Sequence, residues 1–176
     1  MILETERLIL RPLDADKDFE GWAEMMADAQ TMLYIGGKPL NRAQAWRAMA
    51  TMMGHWDIRG YGMFAVIEKT SRQFIGRIGP WYPEGWEDRE VGWGLNRKYW
   101  GKGYASEAGR ASIDYVFNVL KWEGVIHYID PGNTGSMAVA ERLGSKRLRM
   151  VTNVGGVFEG DCYVYGQENL HLKATV

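Results

Sequence analysis

Apolar and charged residues alternate through ERLILRP, Glu6 to Pro12, which is the period-two rhythm of a strand with one buried face. The rhythm then lengthens: Phe19, Trp22, Ala23 and Met26 recur at helical spacing behind a front of acids, so Asp14 to Met26 is expected to be a helix. After the turn signal Gly36-Gly37-Lys38-Pro39, Asn41 is placed to cap a second helix whose apolar face is Ala45, Met49, Met52, Met53 and Trp56. Gly62 to Glu68 (GMFAVIE) and Phe74 to Trp81 (FIGRIGPW) are apolar, β-branched runs joined by KTSRQ, an antiparallel hairpin. The loop YPEGWED leads to a strand at Arg89 to Leu95. A helix from Ala105 to Leu120 follows, with Ala105, Ala108, Ser112, Val116 and Val119 on one face and Gly124 as its expected terminator. A strand at Val125 to Ile129, a short helix from Thr134 to Leu143 stopped by Gly144, and a hairpin of Lys146 to Val154 with Gly160 to Gln167 close the pattern.

These elements, without internal repeat, linker or low-complexity tract, predict a single α/β (α+β) domain over 1–176. Its mixed, mostly antiparallel twisted sheet has about seven strands flanked by about four helices. A chain of 176 residues is long enough to bury a core without a disulfide or metal staple. Lys+Arg 21 against Asp+Glu 22 argues against a nucleic-acid binder held by a broad basic surface. Cys162 is alone, so no internal disulfide forms, and no Cys/His cluster has zinc spacing; a reducing cytoplasmic setting fits. Glu4 and Glu6 break the stretch a signal peptide would need, and no apolar run is long enough to span a bilayer. Aromatic residues make up 12% of the chain, and several tryptophans fall in glycine-rich or loop segments, where they either pack a mixed core or line a pocket.

The densest chemistry is in YWGKGYASEAGRA, Tyr99 to Ala111. Glycine costs a regular element roughly 0.5–1 kcal/mol against alanine, so Gly101 and Gly103 mark a place where bare backbone is needed. A strand, a glycine turn and a helix start leave unpaired N–H groups at the positive end of the helix dipole, an anion site to which Lys102 adds a cation. A tight turn with nothing bound is the plain alternative. A P-loop is excluded, because Lys102 lies between the glycines and is followed by Gly103 instead of a hydroxyl. A dinucleotide fold, with Asp130 as ribose ligand, would need apolar parallel strands, whereas REVGWGL is polar and glycine-broken.

The pattern [QR]-x-x-G-x-[GA] is met by Trp100-Gly101-Lys102-Gly103-Tyr104-Ala105, with Trp100 in place of the usual Gln or Arg. Together with TERLILRPL, GMFAVIEKTSRQFIGRIG, EVGWGLNRKYWGKGYASEA and NTGSMAVAERLGS, it resembles the GCN5-related N-acetyltransferases. The likeness is to the branch of ribosomal-protein N-terminal acetyltransferases (RimJ/RimL-like). The resemblance implies a loop, Trp100 to Ala105, that cradles the diphosphate of coenzyme A. It also implies a strand, Trp93, Gly94 and Leu95, whose backbone pairs with the pantetheine arm at a bulge, an N–H near Leu95 facing the thioester oxygen. Asn133 is implied as a hydrogen-bond partner of the cofactor, although it is equally placed to cap the helix after it.

Transfer to an amine needs a base and an acid. The resemblance implies Glu90 as base, while the family's tyrosine acid is replaced here by Ala140, leaving Ser136, as in the ribosomal branch, for that role. By position, TMLYIGGKPL and WYPEGWEDR border the acceptor site and offer Tyr34, Trp81, Tyr82 and Trp86. His55, His127 and His171 form no site in sequence, and Cys162 is not expected to act as a nucleophile. The expected activity is acetyl-CoA-dependent N-acetylation of a primary amine, by a monomer or homodimer, without metal, nucleic acid or membrane. A protein N-terminus, a polyamine or an aminoglycoside-like molecule all remain open as acceptor. The alternative is a coenzyme A-binding regulatory module that has lost turnover.

Overall fold

The computed structural model describes residues 1–154 and 160–170. Strand β2 (Leu8–Arg11) buries Leu8 and Leu10 completely and leaves Ile9 and Arg11 partly exposed, the alternation its sequence carries. A two-residue strand β1 (Leu3–Glu4) pairs with it through Leu3 and Leu10. With β3 (Phe64–Glu68), β4 (Phe74–Trp81), β5 (Glu90–Leu95), β6 (Gly124–Ile129), β7 (Lys146–Thr152) and β8 (Asp161–Glu168), these form one eight-stranded sheet in the order β1-β2-β3-β4-β5-β6-β8-β7. All neighbours are antiparallel except β5 and β6. The strand beyond the seven expected is β1, whose two residues are too few to show a period and gain a partner only when β2 is in place.

Helices cover both faces. On one, α1 (Ala15–Ala27) packs against α3 (Arg42–Arg59), burying Trp22, Met25, Met26, Ala45 and Met49 with Ala65, Ile67 and Phe74 of the sheet. Each of the larger of these side chains contributes roughly 1.5–3 kcal/mol by leaving water. The Trp22 indole N–H donates to the Ala45 carbonyl at 2.8 Å, so the largest of these side chains also fixes the register between the two helices. Both helix starts are capped, that of α3 by the residue the sequence predicts and that of α1 by Asp14, which the sequence pattern places inside the helix. Asp14 accepts from the amides of Asp16 and Lys17, and Asn41 forms a reciprocal capping box with Gln44. A four-residue helix α2 (Ala29–Met32), too short to register as a periodic pattern, continues from α1 and is capped by Asp28.

On the other face α4 (Tyr104–Asn118) lays Ala108, Ile113 and Val116 against Leu8, Leu10, Phe64, Val66, Ile78 and Val91. Gly124 does not terminate this helix. The helix ends at Asn118, Lys121 takes the left-handed turn at φ 56°, and Gly124 opens β6, where a Cβ would stand 3.1 Å from the Gln167 carbonyl. Helix α5 (Thr134–Arg142) is capped by Asn133.

The parallel pair is the sheet's weak seam. β5 and β6 share a single bridge, Glu90 with Ile126, after which the strands diverge. The bulge expected in β5 is not there: its register with β4 runs unshifted from Gly76–Leu95 to Trp81–Glu90. The strand is freed by the departure of its other neighbour.

Candidate active site

Divergence of β5 from β6 leaves main-chain groups without a ladder. Asn96 N donates to Ile75 O at 2.9 Å, so by antiparallel alternation the amide groups of Glu90, Gly92 and Gly94 turn to β4 and those of Val91, Trp93 and Leu95 turn to the gap. Two side chains take up carbonyls on that edge: His127 bonds Val91 O at 2.6 Å, and the Trp100 indole donates to Leu95 O at 2.8 Å. The N–H groups of Trp93 and Leu95 face the gap. It opens into a cavity of about 1100 Å³.

At one end of this cavity lies the glycine loop. Gly101 and Gly103 are left-handed, at φ 74° and 80°, and a Cβ on Gly101 would meet no protein atom within 4 Å. Gly103 is the N-cap of α4 and offers no side chain to the helix, so the first amides of α4 are uncapped and directed at open space. Tyr104 and Ala105 of the first turn line the cavity. The turn is anchored from behind: Arg7 donates to the Lys102 carbonyl at 2.9 Å, pairs with Glu107 at 2.6 Å and lies 4.5 Å over the Tyr104 ring. Uncapped amides with an open cradle fit a diphosphate. Lys102 itself is not part of the cavity wall, and its ammonium lies 5.2 Å from the Tyr99 ring.

Glu90 stands toward the other end, 8% exposed. Its carboxyl accepts from the Trp86 indole at 2.8 Å and from the Tyr128 amide at 3.3 Å. Burial pushes its pKa up to about 7, against the pull of these donors and of the Arg77 charge. A carboxyl held there exchanges a proton near neutral pH.

Ser136 meets the cavity from α5. Its hydroxyl oxygen lies 3.1 Å from the Trp93 indole nitrogen, so it accepts from Trp93 and keeps its own proton to donate. Asn133 accepts from the Ser136 amide at 3.0 Å, which is the capping role, and its side chain also borders the cavity.

Of the expected acceptor-side residues, Tyr34, Trp81 and Trp86 line the cavity and Tyr82 does not. The Tyr34 hydroxyl donates to Gly132 O at 3.1 Å, joining the segment after α2 to the loop before α5 across the mouth. Trp81 stacks on His55 at 4.4 Å, while the Tyr82 ring is turned outward beneath Arg59.

His55 and His127 are structural. His55 bridges Tyr61 O and the Tyr82 amide, and His127 lies between Val91 O and Ser145. His171 is outside the described residues. Cys162 is buried in β8, where burial raises its thiol pKa. Among the described residues no group of His, Cys, Asp and Glu could hold a metal ion. No helix among them is long and apolar enough to cross a membrane. Sequence reasoning missed Arg77, a buried cation on β4 in the cavity wall. Its signal was a lone charge inside the otherwise apolar run FIGRIGPW.

The family model described as an acetyltransferase (GNAT) domain matches residues 7–146. The chain is 32% identical over 172 residues to the uncharacterized protein YkkB of Bacillus subtilis, covering 92% of this chain and 96% of that one. It is 31% identical over 143 residues to the uncharacterized N-acetyltransferase p20 of Bacillus licheniformis, covering 80% of each. Among solved structures, an acetyltransferase from Agrobacterium tumefaciens superposes with a TM-score of 0.83 at 30% identity, over 96% of this chain and 94% of that one.

Proposed function

The chain belongs to the GNAT acetyltransferase family and is an acetyl-transferring acyltransferase. From that premise we propose that it moves the acetyl group of acetyl-CoA directly to a primary amine, with both substrates held together and no acyl-enzyme formed. Acetyl-CoA supplies the activated thioester; the chain supplies position and protons. The amides of Gly101 to Ala105 take the diphosphate, and the free edge of β5 at Trp93, Gly94 and Leu95 takes the pantetheine arm as a sheet would take another strand. Asn133 and the exposed Trp100 ring border the same channel. The Leu95 N–H polarises the acyl oxygen, a kind of contact worth roughly 2.7–4 kcal/mol in the transition state.

Glu90 takes the proton from the acceptor ammonium, which must be neutral to attack. Ser136 gives its proton to the departing thiolate and regains one from the nitrogen, which sheds its second proton as the amide forms; the Trp93 indole, donating to the same oxygen at 3.1 Å, stabilises the charge in between. The acceptor enters beside Tyr34, Trp81 and Trp86, with Tyr82 outside the contact. Small amines and protein N-termini both have an exposed amine of the required kind, and the single buried thiol suits a cytoplasmic setting.

One observation carries this reading. A single strand, β5, bears a buried carboxyl at its start and an open edge beyond it, in the same cavity as the uncapped start of α4. The test is to bind coenzyme A by calorimetry and to follow thiol release from acetyl-CoA over a broad amine panel. Binding with amine-dependent release supports the enzyme. Binding without release for any amine supports the regulatory module, and no binding removes both.

A further inference from the structure

Arg77 stands on β4 opposite Gly94, and Glu90 stands on β5 opposite Trp81, with Gly79 and Gly92 facing one another between them. Paired residues and their second neighbours share a face, so a guanidinium and a carboxyl flank a stretch of floor paved by glycine. Arg77 is 9% exposed and its Nε has no hydrogen-bond partner; Nη1 rests against the Met63 sulfur, a weak acceptor. Among the described residues it forms no ion pair. Burial lowers its pKa to about 10, against the weaker pull of the Glu90 charge. Glu90 acts on it only at a distance: its oxygens accept from Trp86 and Tyr128 and make no ion pair with the guanidinium.

A buried cation served by a thioether is short of an anion, and its planar fork of donors matches a carboxylate. We propose that Arg77 is the counter-ion for a carboxylate on the acceptor, which is an amino acid or related small amine held with its amine at Glu90 and its carboxylate at Arg77. The proposal rests on the acyl-transfer reading of the same cavity. It narrows the acceptor by charge as well as by attraction: Arg77 repels a polyamine or aminoglycoside, whose further cations would lie against the guanidinium. The acceptor's side chain is left to Trp81, Trp86 and Tyr34, which gives the pocket an apolar, aromatic wall.

The test uses the intact chain, acetyl-CoA, the proteinogenic L-amino acids, their carboxamides and spermidine. At least one acid is expected to show kcat/KM about tenfold or more above its own carboxamide, and Arg77→Gln is expected to erase that preference while leaving coenzyme A affinity unchanged. Should Arg77→Gln fail to fold, the acid-to-carboxamide ratio of the wild-type protein decides alone. Equal rates for acid and carboxamide, or preference for spermidine, overturn the carboxylate site and leave acyl transfer standing. If coenzyme A binds but nothing is acetylated, calorimetry of the N-acetyl amino acids against their carboxamides decides. Tighter binding of the acids supports the site, and no difference or no binding overturns it. Failure to bind coenzyme A overturns the acetyltransferase reading itself.

Discussion

The Nδ1 of His127 lies 2.6 Å from the carbonyl oxygen of Val91, and its Nε2 lies 2.8 Å from the Ser145 hydroxyl. A carbonyl only accepts, so Nδ1 carries the proton and Nε2 accepts from Ser145, whose oxygen in turn accepts from Gln167 at 3.0 Å. The imidazole thus spans the place where the β5–β6 ladder gives out. Desolvation lowers its pKa to about 4. Because the folded pKa is below the unfolded value of about 6.5, this residue's contribution to stability is complete above that value. It is lost as pH falls from there to about 4. His127→Leu should therefore destabilise the protein at pH 7 by about 2–4 kcal/mol and flatten the pH dependence over that window. Urea unfolding at pH 7 and pH 5 measures both; an unchanged slope in the variant would remove His127 from the acid transition.

Glu90 behaves in the opposite sense. With its pKa raised to about 7 by burial, the base form gains population as pH rises, so kcat/KM should climb through pH 7 and level off above it. Glu90→Gln should lower turnover about 100- to 10,000-fold with coenzyme A affinity preserved. For stability, a raised folded pKa favours the protonated carboxyl, an advantage that is complete at pH below the ordinary carboxyl value of 4.5 and disappears as pH rises through about 7. The same substitution should therefore raise stability at pH 8 by about 1–3 kcal/mol. A variant that is slower and also less stable at pH 8 would contradict this account.

Ser136→Ala removes the hydroxyl and leaves the Trp93 indole N–H without its acceptor. Turnover should fall, by about tenfold or more, with little change in coenzyme A affinity. Steady-state kinetics with a parallel calorimetric titration separates the two effects. Unchanged kcat would assign the Trp93 contact to packing alone.

Gly103→Val places a β-branched side chain at φ 80°, with only the Arg7 Nη2, 3.5 Å away, near its Cβ. Strain of about 1–2 kcal/mol is expected in the fold. The larger effect should be on coenzyme A, whose diphosphate needs the space the side chain takes. Affinity should fall by more than the stability loss predicts, and calorimetry beside a melting curve compares them directly.

Much of the fold was legible before any coordinates. β4 runs from Phe74 to Trp81 as the apolar run predicts, and Asn41 caps its helix because capping is settled within one turn of chain. Gly124 was misassigned for a related reason: a glycine after a helical pattern looks like a terminator, whereas here a neighbouring strand's carbonyl, remote in sequence, excludes a side chain. The bulge in β5 was also misplaced, since the strand is freed on its β6 edge and keeps its register with β4.

Local order settled the rest of what sequence could settle. Periodicity, caps and the left-handed glycines before α4 are properties of adjacent residues, and so the longer strands and helices and the glycine turn follow from the chain itself. Tertiary structure alone decided that β5 and β6 part after one bridge, and that Trp93 meets Ser136. It alone set Glu90 and Arg77 on a shared buried face without pairing them. Those relations join residues far apart in sequence through burial and dielectric, and a side chain's solvation is known only once everything that covers it has been placed.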